Sequence, residues 1–384
     1  MWKSQGTLSY NALSMAPAKI KHYVNSSFPH SWLFDSVWII AGLGIYWLSL
    51  FKDLPVLSWV LLAIIITPII HRLVRYGYRS CKTPFDLPIA FLTVGMIMGV
   101  AISPDRGMSV IALQGYLAIV AFYYTSVHHP RPLTYWGIVI GIFSAGILAM
   151  VFAGWDIVPG VEIVADRQSQ SNCMYGPATM LMIVSLILGG VALYHRKPAL
   201  QIIIGVLFMA LTALALWETR VGVSRFFAGG TVSGRIPLWQ ATLEMLKAHP
   251  VTGIGLGCWP LVFHSGALAY PTHPHSAYLE LYCNAGIPGV IALVLGIIIS
   301  IRLGWRILQA ENRETWYGLG VGIILALLAT ALLGLIEQWP SGITLLGTDR
   351  YHYTVILIPL LLAAPLIMVE RKLTHYSCST FNQI

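Results

Sequence analysis

The residues best suited to chemistry in this sequence are arginines, histidines and a glutamate near the ends of apolar segments. They are Arg220, Arg235, His273, His275 and Glu280. Arginine is costly inside a bilayer, and its planar guanidinium fits a phosphate or diphosphate through two parallel hydrogen bonds. We therefore interpret Arg220, at the end of an apolar run, and Arg235 as a clamp for a phosphate-bearing ligand. The alternative is that both side chains only reach lipid headgroups.

His275 is the candidate general base, because it stands at the start of a predicted helix with Ser276 beside it. A neutral imidazole accepts a proton from a hydroxyl, as a general base does. The alternative is a histidine that only caps the helix or contacts headgroups. Pro274 turns the ring of His273 in another direction, so His273 is assigned a supporting role. Without a third and fourth ligand at suitable spacing, the two histidines predict no metal site.

Two further charged residues could complete an anion site. Glu280 lies inside the predicted helix that follows His275, where a buried carboxylate is costly unless it is paired. We expect it to pair with Arg220 or Arg235, with Asn284 on the same helix face. Arg167 belongs to a second loop and either adds positive charge to the site or pairs with the neighbouring Asp166.

The elements that must position these residues are membrane-spanning helices. Of the 384 residues, 57% are hydrophobic and only 10% are charged, and the mean hydropathy is +0.73. About a quarter of the residues are charged in an ordinary soluble domain, so the composition excludes a soluble globular protein. The net charge of +8 is therefore interpreted as a signal of membrane orientation, not of nucleic-acid binding.

Apolar runs of spanning length recur through the chain, and a bilayer core about 30 Å thick needs about 20 apolar residues per helix. The runs lie at about 33–51, 54–70, 85–102, 108–127, 134–153, 174–194, 199–218, 277–301, 316–336 and 352–369. The predicted fold is an all-α polytopic membrane protein with about ten transmembrane helices. No small-residue cleavage site precedes the first run, so a removable signal peptide is not expected.

Lysine and arginine positions predict the orientation. With the N-terminus in the cytoplasm, fifteen of the 23 basic residues fall on the cytoplasmic side, which predicts that both termini are inside. The fifteen are Lys3, Lys19, Lys21, Arg72, Arg75, Arg79, Lys82, Arg131, Arg196, Lys197, Arg302, Arg306, Arg313, Arg371 and Lys372. The predicted organisation is a leader with seven helices over 1–218, a catalytic outer loop over 219–275, and three helices with a cytoplasmic tail over 276–384.

The outer loop contains a segment with helical period, which follows Gly-rich sequence at 229–235 and ends before Pro250. Its apolar side comprises Leu238, Trp239, Thr242, Leu243, Met245 and Leu246, and its polar side Gln240, Glu244 and Lys247. We predict a short amphipathic helix on the outer membrane face or packed against the bundle. Gly253, Gly255 and Gly257 follow no strand, so they predict a turn instead of a dinucleotide site. The spacing neither predicts nor excludes a disulfide between Cys173 and Cys258.

The order of these motifs resembles that of the O-antigen ligase and O-antigen polymerase superfamily of membrane glycosyltransferases. The matching segments are Thr219-Arg220, Gly234-Arg235-Ile-Pro-Leu-Trp239, Pro250-Val-Thr-Gly-Ile-Gly-Leu-Gly257, His273-Pro-His275-Ser276, Leu279-Glu280 and Gly286-Ile-Pro-Gly289. The resemblance is specific over about 219–289. It departs from the family pattern where Ser276 replaces the usual Asn, and where only fifteen positions separate Arg220 from Arg235.

The resemblance implies a metal-independent glycosyltransferase without a cofactor in the bacterial inner membrane, its active site facing the periplasm. His275 matches the family's catalytic histidine, and Arg220 and Arg235 match its diphosphate-contacting arginines. The implied donor is a glycan on a polyprenyl diphosphate carrier such as undecaprenyl diphosphate, and the acceptor is lipid A–core or another glycan. Membrane lipids are the other partners, and no nucleic acid is implied.

Three functions stay open from the sequence. Ligation of O-antigen to lipid A–core in lipopolysaccharide biosynthesis is favoured because short outer loops leave little surface for holding a growing polymer. Polymerisation of O-antigen or exopolysaccharide is the second. The third is transport, which predicts inverted repeats and charged residues near the centres of several spans; the charges here cluster at span ends.

Overall fold

The computed structural model describes residues 82–128, 175–227, 230–263, 274–311, 313–335, 342–347, 351–356 and 358–381. The runs predicted to span the membrane at 33–51, 54–70 and 134–153 lie outside these residues, as do Arg167 and His273.

Helices dominate the part of the chain that the structure describes. In chain order the elements are α1 (Asp86–Ile102), α2 (Arg106–His128), α3 (Tyr175–Tyr194), α4 (Pro198–Phe227), α5 (Gly230–Ala248), α6 (Trp259–Val262), α7 (Ala277–Leu308), α8 (Thr315–Gly334), β1 (Gly342–Gly347), β2 (Tyr351–Ile356) and α9 (Ile358–Phe381). Two of them, α7 and α8, are long and apolar enough to cross a membrane.

Six of the predicted spans start within two residues of the start of an observed helix. These helices are α1, α2, α3, α4, α7 and α8. Asp86, Pro198 and Thr315 stand at or near the starts of their helices, where acidic residues and proline suit the unpaired amides of a helix N-terminus. The helical character of the fold is therefore confirmed. Helix α4, however, runs on to Phe227, so Arg220 lies within a helix and not at its end.

A two-stranded hairpin departs from the all-α expectation. Strands β1 and β2 pair antiparallel, with Gly342 opposite Ile356 and Gly347 opposite Tyr351. The β2 sequence Tyr-His-Tyr-Thr-Val-Ile is rich in aromatic and β-branched residues, which favour strands. The helix predicted to begin near residue 352 therefore begins only at Ile358.

Small residues let the helices approach closely. A Cβ on Gly318 of α8 would overlap the backbone of Gly190 in α3, so this antiparallel pair needs glycine at the contact. On the other side of the bundle, Gly95 of α1 lies against Ala285 of α7. Close backbone approach through small residues is typical of helices that pack within membranes.

Apolar side chains fill the interior and also cover much of the surface. Tyr123, Ile187 and Ile307 are fully buried in one core shared by α1, α2, α3, α7, α8 and α9. Helix α4, in contrast, exposes Ile202 at 67% and Val206 at 64% of their surfaces. Contiguous apolar surface of this kind is unfavourable in water and suits contact with lipid.

Ion pairs gather where α3 meets α4 and α7 meets α8, and we call this region the basic end of the bundle. Arg196 pairs with Glu314, and Arg306 Nη1 lies 3.1 Å from Glu370 Oε1. Arg313 lies over the ring of Tyr317, 5.6 Å from its centroid. Each of these basic residues was predicted to be cytoplasmic.

Candidate functional site

Helix α5 positions Arg235 at the end of the bundle opposite the basic end. Arg235, Leu238, Thr242 and Leu246 form one buried stripe, because residues three or four apart share a face of a helix. Gln240, Glu244 and Lys247 are exposed, so the predicted amphipathic helix is confirmed. It is longer than expected, since Ser233-Gly234-Arg235 are helical rather than loop. Leu243, predicted on the apolar side, is 46% exposed at the edge of the stripe.

The buried stripe packs into a small apolar core, here called the site cluster, which holds the outer segment on α7. Its buried members are Leu238, Leu246, Ile254, Trp259 and Cys283. Trp259 Nε1 donates to Thr242 Oγ1 at 3.1 Å, and its ring stacks on Phe263 with centroids 4.3 Å apart. A hydrogen bond of 2.9 Å from the Tyr282 hydroxyl to the Pro250 carbonyl adds a further link to α7.

The three glycines at 253, 255 and 257 form a turn, as predicted, and all have positive φ. At Gly253 this conformation is combined with close approach, since a Cβ there would overlap the carbonyl oxygen of Cys283. The amide of Ile254 donates to that same carbonyl at 2.9 Å. The turn is therefore seated directly on the backbone of α7, next to its kink at Gly286.

Asn284 joins the glycine turn to Glu280. Its Oδ1 accepts a hydrogen bond of 2.9 Å from the Gly257 amide, and its Nδ2 donates to Glu280 Oε1 at 3.0 Å. Glu280 is only 6% exposed, and its Oε2 has no hydrogen-bond partner among the residues that the structure describes. Asn284, one helical turn away, therefore supplies the hydrogen bond of Glu280 Oε1. The expected pairing of Glu280 with Arg220 or Arg235 stays a prediction, because the side chain of Arg220 lies outside the described residues.

His275 lies between Pro274, whose carbonyl is hydrogen-bonded to Trp239, and the first turn of α7. It is half-buried and has a φ of 49°, a left-handed conformation that is unfavourable for a residue with a side chain. The carbonyl oxygen of Pro274 accepts a hydrogen bond of 2.8 Å from Trp239 Nε1. Ser276 is extended and caps α7, and its carbonyl accepts from the Glu280 amide at 2.9 Å.

A buried polar network supports the other side of the glycine turn. Ser109 Oγ donates to the Leu256 carbonyl at 2.5 Å and lies 2.7 Å from Ser103 Oγ. Ser103 Oγ is also 3.0 Å from Cys258 Sγ. Cys258 is a free, buried cysteine, and Cys173, its candidate partner from the sequence, lies outside the described residues.

The structure brings together Arg235, His275 and Glu280 on neighbouring segments around the site cluster. For Arg220 it describes only the backbone within α4. The arrangement offers two groups for chemistry: the buried guanidinium of Arg235 on α5 and the imidazole of His275 just before α7. A guanidinium and an imidazole on segments linked by a hydrogen bond suit reactions in which a proton leaves a hydroxyl while negative charge develops on a leaving group.

The sequence did not reveal the hydrogen bonds of three residues, Trp239, Ser103 and Ser109. Trp239 stood in the expected apolar face, but its indole bond to Pro274 depends on a segment 35 residues away. Ser103 and Ser109 drew no attention, because single serines beside a helix start are usually caps. The sequence contained one indication of the role of Trp239: it follows Arg235 by four residues, so both lie on one face of the helix.

Comparison with known proteins supports the segment that contains these residues. Residues 176–294 match the model of the O-antigen ligase family. The chain is also similar to the exopolysaccharide production protein ExoQ of Rhizobium meliloti (strain 1021), with 25% identity over 193 residues. That match covers 44% of this chain and 43% of the relative, so less than half of the relative's length is represented. The resemblance that the motifs predicted is thus confirmed: the segment that carries Arg220, Arg235, His275 and Glu280 matches the O-antigen ligase family.

Proposed function

We propose that this protein transfers a glycan from an undecaprenyl diphosphate carrier to an acceptor hydroxyl at the periplasmic face of the bacterial inner membrane. The favoured reaction is ligation of O-antigen to lipid A–core. The observation that carries the proposal is the buried Arg235 on a helix that is hydrogen-bonded to the segment of His275, within the region that matches the ligase family.

In the proposed mechanism, the His275 imidazole takes the proton of the acceptor hydroxyl. The acceptor oxygen then forms a bond to the anomeric carbon while the bond from that carbon to the diphosphate breaks. The electron pair leaves with the diphosphate, whose charge is balanced by Arg235 and Arg220, with Arg167 as a third cation. Guanidinium groups held in place before the reaction stabilise charge that develops in the transition state, and a diphosphate leaves readily without a metal.

Glu280 and His273 have supporting roles in this proposal. Glu280 contributes through Asn284, which fixes the glycine turn against α7. His273 precedes the Pro274 segment and lies close to His275 in the chain.

The proposed topology has about ten transmembrane helices with both termini in the cytoplasm. It is supported by the separation of Arg235 from the basic end of the bundle. The antiparallel packing of α1 on α7 and of α3 on α8 agrees with alternating passages through a membrane.

Polymerisation is the second candidate function, and the similarity to a protein named for exopolysaccharide production favours it. A polymerase joins one carrier-linked repeat unit to another and needs room for two carriers. Lipopolysaccharide gels of a deletion strain separate the two functions. Loss of a ligase leaves polymerised glycan on the carrier, whereas loss of a polymerase leaves a core capped with a single unit.

The test of the mechanism is His275→Ala in membranes supplied with lipid-linked donor and acceptor. Removal of a general base typically costs about 10²- to 10⁴-fold in rate, so we expect transfer to fall by that order. His249→Ala is the matched control, because His249 is exposed just beyond α5. Full transfer by His275→Ala would refute the mechanism, and flux of solute in proteoliposomes without any transfer would support a transporter.

A further inference from the structure

Trp239 links the two candidate chemical groups of the site. It lies four residues after Arg235 in α5, so both side chains emerge on one face of the helix. Its indole Nε1 donates a 2.8 Å hydrogen bond to the carbonyl of Pro274, the residue before His275. Among the residues that the structure describes, this bond directly connects the helix of the arginine to the segment of the histidine.

The backbone of His275 requires such a link. Its φ of 49° is left-handed, and a residue with a side chain keeps this conformation only where its surroundings enforce it. On the N-terminal side of His275, the ring of Pro274 restricts the φ of Pro274, and Trp239 donates a hydrogen bond to the Pro274 carbonyl. On the other side, Ser276 is extended and its carbonyl is bonded to the Glu280 amide.

The attachment of α5 to the bundle does not depend on Trp239. Thr242 holds the indole of Trp259, and Leu238 and Leu246 are buried in the site cluster. Removing the Trp239 bond therefore leaves α5 docked but releases the carbonyl that precedes His275.

We propose that Trp239 is a positioning residue whose indole N–H fixes the imidazole of His275 relative to the guanidinium of Arg235. This inference rests on the proposed transferase function and assigns a residue that sets the geometry of its reaction. Trp239 acts through the Pro274 backbone and holds no proton of the reaction. Its loss shifts the base from the acceptor hydroxyl, and displacements near 1 Å cost about 10²-fold in rate.

The test is Trp239→Phe, which keeps an aromatic ring but removes the N–H. We expect kcat for transfer to fall about 10- to 100-fold, while KM for the lipid-linked donor stays within about 2-fold, since Arg235 remains in place. Trp305→Phe is the matched control. Trp305 lies beside Arg306 at the basic end and is 62% exposed, so we expect this variant to keep the wild-type kcat.

Trp239→His provides the rescue. The Nε2 of histidine lies at the same ring position from the Cβ as the indole Nε1, so its N–H reaches towards the Pro274 carbonyl. We expect Trp239→His to recover at least about 5-fold of the kcat lost in Trp239→Phe, although it packs less surface. Recovery by the smaller ring separates positioning by hydrogen bond from simple filling of space.

Each outcome decides the inference. Unchanged kcat in Trp239→Phe, equal losses in Trp239→Phe and Trp305→Phe, or no advantage of Trp239→His would overturn it. Arg235→Ala and His275→Ala, assayed in parallel, test the transferase function itself. If those two variants lose transfer and Trp239→Phe does not, the positioning role alone fails. If they retain transfer, the proposed function fails first. Thermal-shift titration with undecaprenyl diphosphate checks that Trp239→Phe still binds the carrier.

Discussion

The two ends of the helical bundle both contain arginine and glutamate but place them differently. At the basic end, Arg306 pairs with Glu370 while its side chain stays 59% exposed. At the site end, Arg235 and Glu280 are buried, and Glu280 Oε1 accepts a hydrogen bond from the side-chain amide of Asn284. Similar residue types thus form ion pairs with an exposed arginine at one end and a buried polar site at the other.

The two ends differ in how much stability depends on each charged group. Exposed ion pairs contribute at most about 1 kcal/mol, so we expect substitution of the exposed arginines at the basic end to cost little stability. Buried polar groups cost much more when they lose their partners. A buried site with a left-handed His275 and a turn of positive φ is retained against that cost, which is typical of functional regions.

Between the two ends of the bundle, the largest expected difference is in transfer by Arg235→Ala and Arg306→Ala. Loss of a preorganised cation at a developing charge costs about 10²- to 10³-fold, measured as kcat with a lipid-linked donor. Arg306→Ala at the basic end is the control and is expected to stay within about 2-fold. Comparable losses in both variants would mean that the two ends do not differ in function.

Gly253→Ala is expected to destabilise the fold by about 3 kcal/mol. The left-handed conformation costs an alanine about 1–2 kcal/mol, and its Cβ overlaps the carbonyl of Cys283. Gly296→Ala is the matched control, because no atom lies within 4 Å of a Cβ there and alanine favours a helix interior. Thermal unfolding in detergent, followed by tryptophan fluorescence, should show a lower Tm for Gly253→Ala alone. A fall of the same size at Gly296 would contradict the assigned role of the turn.

Asn284→Leu is expected to cost about 1–3 kcal/mol, because it leaves the buried amide of Gly257 without its partner. The comparison is Thr330→Val, which removes a buried hydroxyl that donates to Ala326 of its own helix and costs less. Thermal unfolding of the purified variants measures how much stability each substitution removes, and we expect the larger loss for Asn284→Leu. If Asn284→Leu were as stable as the wild type, Asn284 would not link the turn to α7.

The smallest effect is expected at the basic end. A double-mutant cycle with Arg306→Ala and Glu370→Gln should give a coupling below about 1 kcal/mol, since one partner is mostly exposed, and the coupling should weaken at high salt. Transfer activity should not change. A coupling above about 2 kcal/mol would remove the contrast between the two ends.

The helical elements were largely predictable from the sequence. The starts of α1, α3 and α7 follow from apolar runs bounded by charged or turn-forming residues, because hydropathy and helix-start signals are local. The β1–β2 hairpin was missed because the apolar residues of β2 adjoin those of α9, and a continuous apolar run does not reveal its own periodicity.

The site was predictable by residue type but not by partner. Arg235, His275 and Glu280 were selected because charge and imidazole are rare in an apolar chain. Helix spacing placed Asn284 on the same face as Glu280, and the structure adds the hydrogen bond between them. The pairing of Glu280 with an arginine stays a prediction. The role of Trp239 could not be predicted, because its hydrogen bond joins segments that are far apart in the chain.

The sequence by itself determined that this is a helical chain with an apolar surface, charges at the helix ends, and the motif order of the O-antigen ligase family. Those properties depend only on composition and on the spacing of residues along the chain. Tertiary structure alone decided which side chains meet: the glycine turn on α7, Asn284 between Gly257 and Glu280, and Trp239 on Pro274. These contacts depend on how helices pack, and packing selects hydrogen-bond partners by distance in space.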